Sequence, residues 1–441
     1  MIREAFDALA GSVCVAPPGV ELVSLSIAAE TSTFIRFNHG KVRQATHVDQ
    51  CNAAVSVVQG GRRATGGVTL SGDTKIDVAS LLAERDALAA QLVLVPEDKY
   101  LLLPDTVTST TRASDAQLPS AVQVIDAVER HAGGTDFVGH YVGGPVVRAF
   151  ADTRGQRNWH SIASFHFEWS VYRGGDQAVK SSYADTVWDE AAFAGKMARA
   201  REQVDLLARP RVQLSPGEYR VYFTPVAVAE LLSTLAWGGF GLKSLKTGVS
   251  PLVQLHTGEA QLDASVSLTE SVSGGIAPRF QEDGFVKPDF VKLVEEGRVA
   301  GMLASPRSAK EYGVAATGSN GLESPESLAM APGRLPANDV LKTLGKGIYI
   351  SNLHYLNYSD RLACRMTGMT RFACFSVEAG ELVAPIGVMR FDDSFLRMFG
   401  PGLVALTASA ESSPDAGTYT GRMLASVTAP GAIVEGFHFT L

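Results

Sequence analysis

The chemistry available to this 441-residue chain is set first by its nine histidines, at 39, 47, 131, 140, 160, 166, 256, 354 and 438. None is followed directly by Glu. A zinc hydrolase needs two imidazoles on one helical face and a carboxylate to activate the bound water, usually spelled His-Glu-x-x-His or a close relative. That spelling does not occur. The nearest local set lies in WHSIASFHFEW (159–169). Strand alternation puts His160, Ser164, His166 and Glu168 on one face, and Ala163, Phe165, Phe167 and Trp169 on the other. His166 and Glu168 are close enough to share a metal, with His160 further along. A metal site wants three or four convergent ligands, so a solvated strand face is expected here. A metalloenzyme built on His160, His166 and Glu168 is the lesser alternative.

Nucleophiles fare no better. Ser319 in TGSNG lacks the Gly-x-Ser-x-Gly spacing and reads as a turn. Cys364 and Cys374 have no neighbouring motif that would depress a thiol pKa, so both are expected to be small buried hydrophobes. Asp392 and Asp393 are adjacent on a strand and therefore point to opposite faces. GGFGLKS (238–244) has the glycines of a phosphate loop but places Leu242 before Lys243, and a helix precedes it where a strand should. By chemistry alone the chain contains no catalytic centre.

The elements that would position these residues are legible in part. Glu21–Ala28 and Thr33–Phe37 read as strands, the second closing on Asn38-His39-Gly40. Cys51–Gln59 turns through Gly60-Gly61 into Arg62–Leu70 as a hairpin. Val78, Leu81, Leu82, Leu88 and Leu92 recur at helical spacing over Thr74–Val95, and a second helix covers about 121–131. The 137–184 region returns to strands. Trp188–Ala208 is amphipathic, with Phe193, Met197, Ala200, Val204 and Leu207 as its stripe. Thr224 caps a helix that begins at Pro225 and runs into ELLSTLAWGGFGLKS (230–244). Val228, Leu231, Leu232 and Leu235 form its apolar face, and Gly238-Gly239 ends it. Residues 314–339 read as a long loop. GKGIYISNLHYLNYSD (345–360) reads as an aromatic-rich strand. Tyr349, Ser351, Asn352, His354, Tyr355 and Tyr358 on it are the candidate wall of a groove that takes an extended peptide by strand addition.

The totals agree with a two-domain α+β protein: an amino-terminal sheet domain (1–210) and a mainly β, barrel-like carboxy-terminal domain (211–441), divided at the proline-containing LLARPRVQLSPGE. Hydrophobic residues make up 46% and charged residues 19%, ample for two cores. A net charge of −7 without a basic run argues against nucleic acid as a partner. Four scattered cysteines argue against a disulfide framework. No apolar run approaches the roughly 18 residues of a membrane span. A cytoplasmic location is expected, with no nucleic-acid and no membrane partner.

Several stretches together resemble the TldD/TldE (PmbA) family: STFIRFNHGKVRQATHVDQCNAAVSVVQGGRRATGGVTL (32–70), SPGEYRVYFTPVAVAELL (215–232), FVKLVEEGRVAGMLASPRSAKEYGVAATGSNG (290–321), GKGIYISNLHYLNYSD (345–360) and TRFACFSVEAGELVAPIGVMRFDDS (370–394). The resemblance implies a cytoplasmic zinc-dependent peptidase made of two related subunits, acting on small unfolded peptides. One subunit carries His-Glu-x-x-x-His on the helix that opens its second domain, and a later Cys completes the metal site. LLSTLAWGGF here offers Ser233, Thr234 and Gly238 in about those places, and residues 218–255 contain no histidine. Cys364 falls near the region of the ligating Cys. The resemblance therefore implies the TldE/PmbA-type subunit, with no catalytic residue and no metal of its own. Its zinc would be in a TldD-like partner, and the 345–358 strand and 314–339 loop would line a shared peptide chamber. The alternative is a stand-alone or homodimeric peptide-binding protein without a proteolytic role.

Overall fold

The computed structural model describes residues 1–114 and 116–441. Its first sheet is built from β1 (Leu22–Asn38), β2 (Lys41–Gln59), β3 (Arg62–Thr69), β4 (Thr111–Ala113), β5 (Asp136–Asp152), β6 (Arg157–Gly174) and β7 (Gln177–Asp185). The order is β3-β2-β1-β5-β6-β4, with β7 also against β6. The two strand segments expected between residues 21 and 37 are one strand. β1 is paired along both edges, by β2 and β5, so the polar stretch at Glu30–Ser32 stays in register with its neighbours. Its hairpin to β2 turns at His39-Gly40, and the β2–β3 hairpin turns at Gly60-Gly61. All four residues have positive φ (51°, 68°, 55° and 71°), as a two-residue turn matched to strand twist requires.

Four helices cover one face of this sheet. From α1 (Arg3–Val13) and α2 (Thr74–Gln91), Phe6, Leu9, Leu81 and Leu88 pack on Val23, Leu25, Val55 and Val57. From α3 (Ala121–Ala132) and α4 (Glu190–Leu206), Val124, Val128, Phe193 and Met197 pack on Phe137, Phe165, Phe167 and Trp169. The predicted stripe of α4 is thus its buried face.

The second sheet has thirteen strands. They are β8 (Gly217–Phe223), β9 (Leu268–Glu270), β10 (Val291–Glu295), β11 (Arg298–Val299), β12 (Ser327–Met330), β13 (Gly347–Ile350), β14 (Asn352–Asp360), β15 (Arg365–Arg371), β16 (Phe375–Glu378), β17 (Glu381–Pro385), β18 (Arg390–Ser394), β19 (Leu403–Pro414) and β20 (Ser426–Phe439). The path β11-β10-β9-β12-β20-β8-β13-β16-β17 is open at both ends, and β14, β15, β18 and β19 branch from β20. The α+β class is as expected, but among the described residues the barrel-like expectation reduces to an open, branched sheet. The helix α5 (Pro225–Leu235) lies across β20 and β14. Thr224 caps it by accepting the Ala227 N–H, and the face with Val228, Leu231, Leu232 and Leu235 is buried.

One loop reading and one strand reading change. The 314–339 segment contains β12, which pairs in parallel with β20 and antiparallel with β9, so it holds the middle of the sheet. The 345–360 strand is two strands broken at Ser351, with Tyr355 in a left-handed conformation at φ 53°. No helix among the described residues is long and apolar enough to cross a membrane.

Candidate functional site

The helix-free face of the first sheet turns toward the second sheet, which corrects the reading of the His160 face. His160 is 1% exposed and His166 is 8% exposed. Alternation was read properly, but the polar face is covered rather than solvated. Its coverage is polar in turn. The His160 Nε2 lies 3.0 Å from the Ile276 carbonyl. Arg422 enters from the β19–β20 connection and donates through Nη1 to the Gly144 carbonyl at 2.7 Å and through Nη2 to the Ser164 carbonyl at 2.7 Å and Oγ at 2.8 Å. Burial, with the Arg112 charge adding to it, pushes the His160 pKa down to about 4. Burial also lowers that of His166, against the opposing pull of Glu168. Among the described residues no three His, Cys, Asp or Glu side chains converge to hold a metal, so His160, His166 and Glu168 do not form a site.

Between the sheets runs a cleft of about 990 Å³. One wall comes from β6, β7 and α4, through His166, Glu168, Lys180, Ser182, Arg199 and Gln203. The other comes from α5, β13 and β19, through Val226, Glu230, Ser233, Tyr349, Ser351 and Glu411. A smaller cavity of about 310 Å³ adjoins it and shares His166, Pro414, Asp415 and Ser426 as lining. Ion pairs span or line the cleft: Lys180 to Glu168 at 3.2 Å and Lys196 to Glu411 at 3.3 Å.

The group that sequence reasoning passed over is Glu230. It is the one charged residue between Arg220 and Lys243, inside an apolar helix, and that isolation was the available signal. The turn-by-turn spacing of Val226, Glu230 and Ser233 directs this stripe of α5 at the cleft. The Glu230 carboxylate accepts the Leu353 N–H at 2.6 Å and the Asn352 Nδ2 at 3.3 Å, satisfying the backbone at the start of β14. Burial raises its pKa to about 7, with those two hydrogen bonds and Lys180 working the other way.

The sequence candidates divide. Tyr349, Ser351 and Asn352 line the cleft, whereas His354, Tyr355 and Tyr358 are not among its lining residues. Tyr355 is 77% exposed, and the Tyr358 hydroxyl donates to the Thr234 carbonyl at 3.0 Å. β13 is hydrogen-bonded on both edges, to β8 and β16, so at Tyr349 no edge is open to an added strand. Cys364 and Cys374 are buried; burial pushes the Cys364 thiol up to about 12 and raises Cys374 as well. Asp392 and Asp393 do face opposite ways, toward Arg365 and Arg397 respectively. Ser319 is buried, with an unpartnered hydroxyl in the described residues.

A model of the PmbA/TldA metallopeptidase C-terminal domain matches residues 216–441, and the chain belongs to that family. None of the curated proteins matches it. Among solved structures, TldE from Thermococcus kodakarensis superposes with a TM-score of 0.78 at 14% identity, over 99% of this chain and 100% of that one. A protein described as a modulator of a DNA gyrase from Thermotoga maritima gives 0.77 at 15% identity over all of both chains. One so described from Bacteroides thetaiotaomicron gives 0.70 at 15%, over 99% and 97%. These likenesses establish the fold. The zinc of a metallopeptidase family does not suit the residues present. The cleft face of α5 offers a single carboxylate. Counting His-Glu-x-x-x-His from Glu230 puts Ala229 and Thr234 where imidazoles would stand. The Cys364 thiol is held against ionisation.

Proposed function

We propose that this chain is a non-catalytic, TldE/PmbA-like subunit of a heteromeric metallopeptidase that processes small unfolded peptides, and that its intersheet cleft forms part of the substrate chamber. The observation that carries the reading is the composition of α5: it lines the cleft yet supplies one carboxylate and no imidazole. A hydrolytic zinc needs three protein ligands with an open position, so the metal chemistry is assigned to a TldD-like partner. The candidate wall residues are Tyr349, Ser351 and Asn352. Binding and the exclusion of folded chains are this subunit's part, in the cytoplasm. The test is co-expression with a His-Glu-x-x-x-His-bearing relative. Co-purification, and peptidase activity that needs both chains, is the expected result. Full activity of the relative alone removes the proposal.

A second reading is a peptide-binding protein acting alone or as a homodimer. Its support is that the walls of the cleft come from one chain. Tight peptide binding by the isolated chain, with no association with any metal-bearing relative, would favour it.

A further inference from the structure

Resting on the reading of the cleft as a peptide site, we infer that the cavity of about 310 Å³ beside it is a carboxylate subsite, where Arg112 and Arg422 take the free C-terminus of the peptide. The cavity and the cleft share His166, Pro414, Asp415 and Ser426, so a chain lying in the cleft can run its last residue into the smaller space. Arg112 stands on β4 of the first sheet, and Arg422 enters from the β19–β20 connection of the second. Arg422 is 6% exposed. Its two terminal nitrogens reach only neutral acceptors, the Gly144 and Ser164 carbonyls and the Ser164 hydroxyl, and among the described residues its Nε has no acceptor. Among the same residues no carboxylate stands beside Arg112; the charge that acts on it is that of Arg279, which repels.

Positive charge held this way calls for an anion. A buried cation without a counter-charge has lost its hydration and gained little for it, so such groups are found paired or ligand-bound. Burial lowers the pKa of Arg112, Arg148 and Arg422 alike. Glu30 pulls the other way for Arg148 and Arg422, but its carboxylate is engaged by the Arg422 N–H, Gln50 and Ser32, and it is not part of the cavity lining. Glu326, which also acts on Arg148, is paired with Lys287. The surplus is felt at His160, where Arg112, Arg148 and Lys287 add to burial in keeping the ring neutral. Two carboxylates do line the cavity. Asp185 accepts from the Thr186 N–H at 2.6 Å and Asp415 from the Gly417 N–H at 2.8 Å, and neither forms an ion pair with Arg112 or Arg422. A planar guanidinium takes a carboxylate through parallel N–H groups, which suits a chain end better than a point-like anion. The ligand class is therefore a peptide with a free terminal carboxylate, which every unblocked peptide offers whatever its sequence. Holding that end fixes the length of chain between it and the point where a partner subunit could cut.

The test uses the purified full-length chain and an acetylated hexapeptide of alternating Ala and Ser, made as the free acid and as the amide. At about pH 7 the terminal carboxyl is ionised, and titration calorimetry should show the acid binding about tenfold or more tighter than the amide, as charge-assisted hydrogen bonds require. Arg112→Gln should bring the acid down to the level of the amide and leave the amide unchanged, while Arg112→Lys should keep part of the preference. β4 ends the first sheet, so both variants should keep the melting temperature, which separates a lost contact from a lost fold. Arg112 is the residue to replace because Arg422 also anchors its own connection to the first sheet. An amidated peptide with Asp as its last residue carries its carboxylate on a side chain, and it should bind like the plain amide. Equal binding of acid and amide, a preference that survives Arg112→Gln, or an Asp-ended amide that matches the free acid overturns the inference and leaves the cleft a peptide site. Binding of neither peptide removes the peptide reading itself, and the inference with it.

Discussion

Substituting Glu230 by Gln isolates the energetic consequence of placing a carboxylate on α5 beside the cleft. Its pKa rises from 4.5 to about 7 because burial penalises the ionised form more than Leu353 N–H, Asn352 and Lys180 support it. The folded chain then holds this proton more tightly than the unfolded one, so unfolded chains bind fewer protons between those two values. Stability contributed at this position is fully present below about pH 4.5 and declines as pH rises through about 7. The gap corresponds to about 3 kcal/mol when complete. Gln keeps an acceptor for the Leu353 N–H and cannot ionise. Urea unfolding of both proteins across pH 4.5 to about 8 should therefore show little difference at the acid end and Glu230→Gln ahead by about 3 kcal/mol at the alkaline end. A difference that stays flat with pH, or that favours the wild type as pH rises, would show that Glu230 ionises as an ordinary surface carboxylate and refute the reasoning.

His160 should act with the opposite sign. Its pKa falls from 6.5 to about 4, so it destabilises the fold as pH drops through that window, by at most about 3 kcal/mol; His160→Asn should flatten that limb in the same urea series. Gly284→Ala should destabilise by about 2 kcal/mol or more, since an added Cβ would stand 2.5 Å from the Phe150 ring at φ 83°, and a thermal melt reads it directly. Arg422→Met should loosen the 414–425 connection on the first sheet, because three acceptors on Gly144 and Ser164 lose their donor while the backbone contacts to Glu30, Arg148 and Gln50 remain. Limited proteolysis beside the fully exposed Tyr419 should accelerate, and an unchanged cleavage rate would contradict the anchoring role.

Legibility in the sequence followed the range of the interaction. The β2–β3 hairpin, the α4 stripe and the Thr224-Pro225 start of α5 are local, and periodicity or turn chemistry is enough to find them. The fate of His160 and His166 is not local: alternation names their face, but burial depends on Ile276 and Arg422, which arrive from more than a hundred residues away. β12 was invisible for the same reason, since four residues of strand in a loop-like stretch are fixed by β20 and β9. The break at Ser351 also escaped, because it goes with Glu230 claiming the Leu353 N–H just beyond it. For the site, half of the six candidates reach the cleft, and the residue with the most perturbed carboxylate, Glu230, lay inside the 218–255 stretch, which was searched for imidazoles alone.

Zinc content and peptidase activity, measured on the isolated chain and again after mixing with a His-Glu-x-x-x-His subunit, bear most directly on the assignment. The expected result is a metal-poor, inactive chain alone and cleavage of an unfolded peptide once the partner is added. Stoichiometric zinc held by this chain, or hydrolysis by it unaided, would contradict the account.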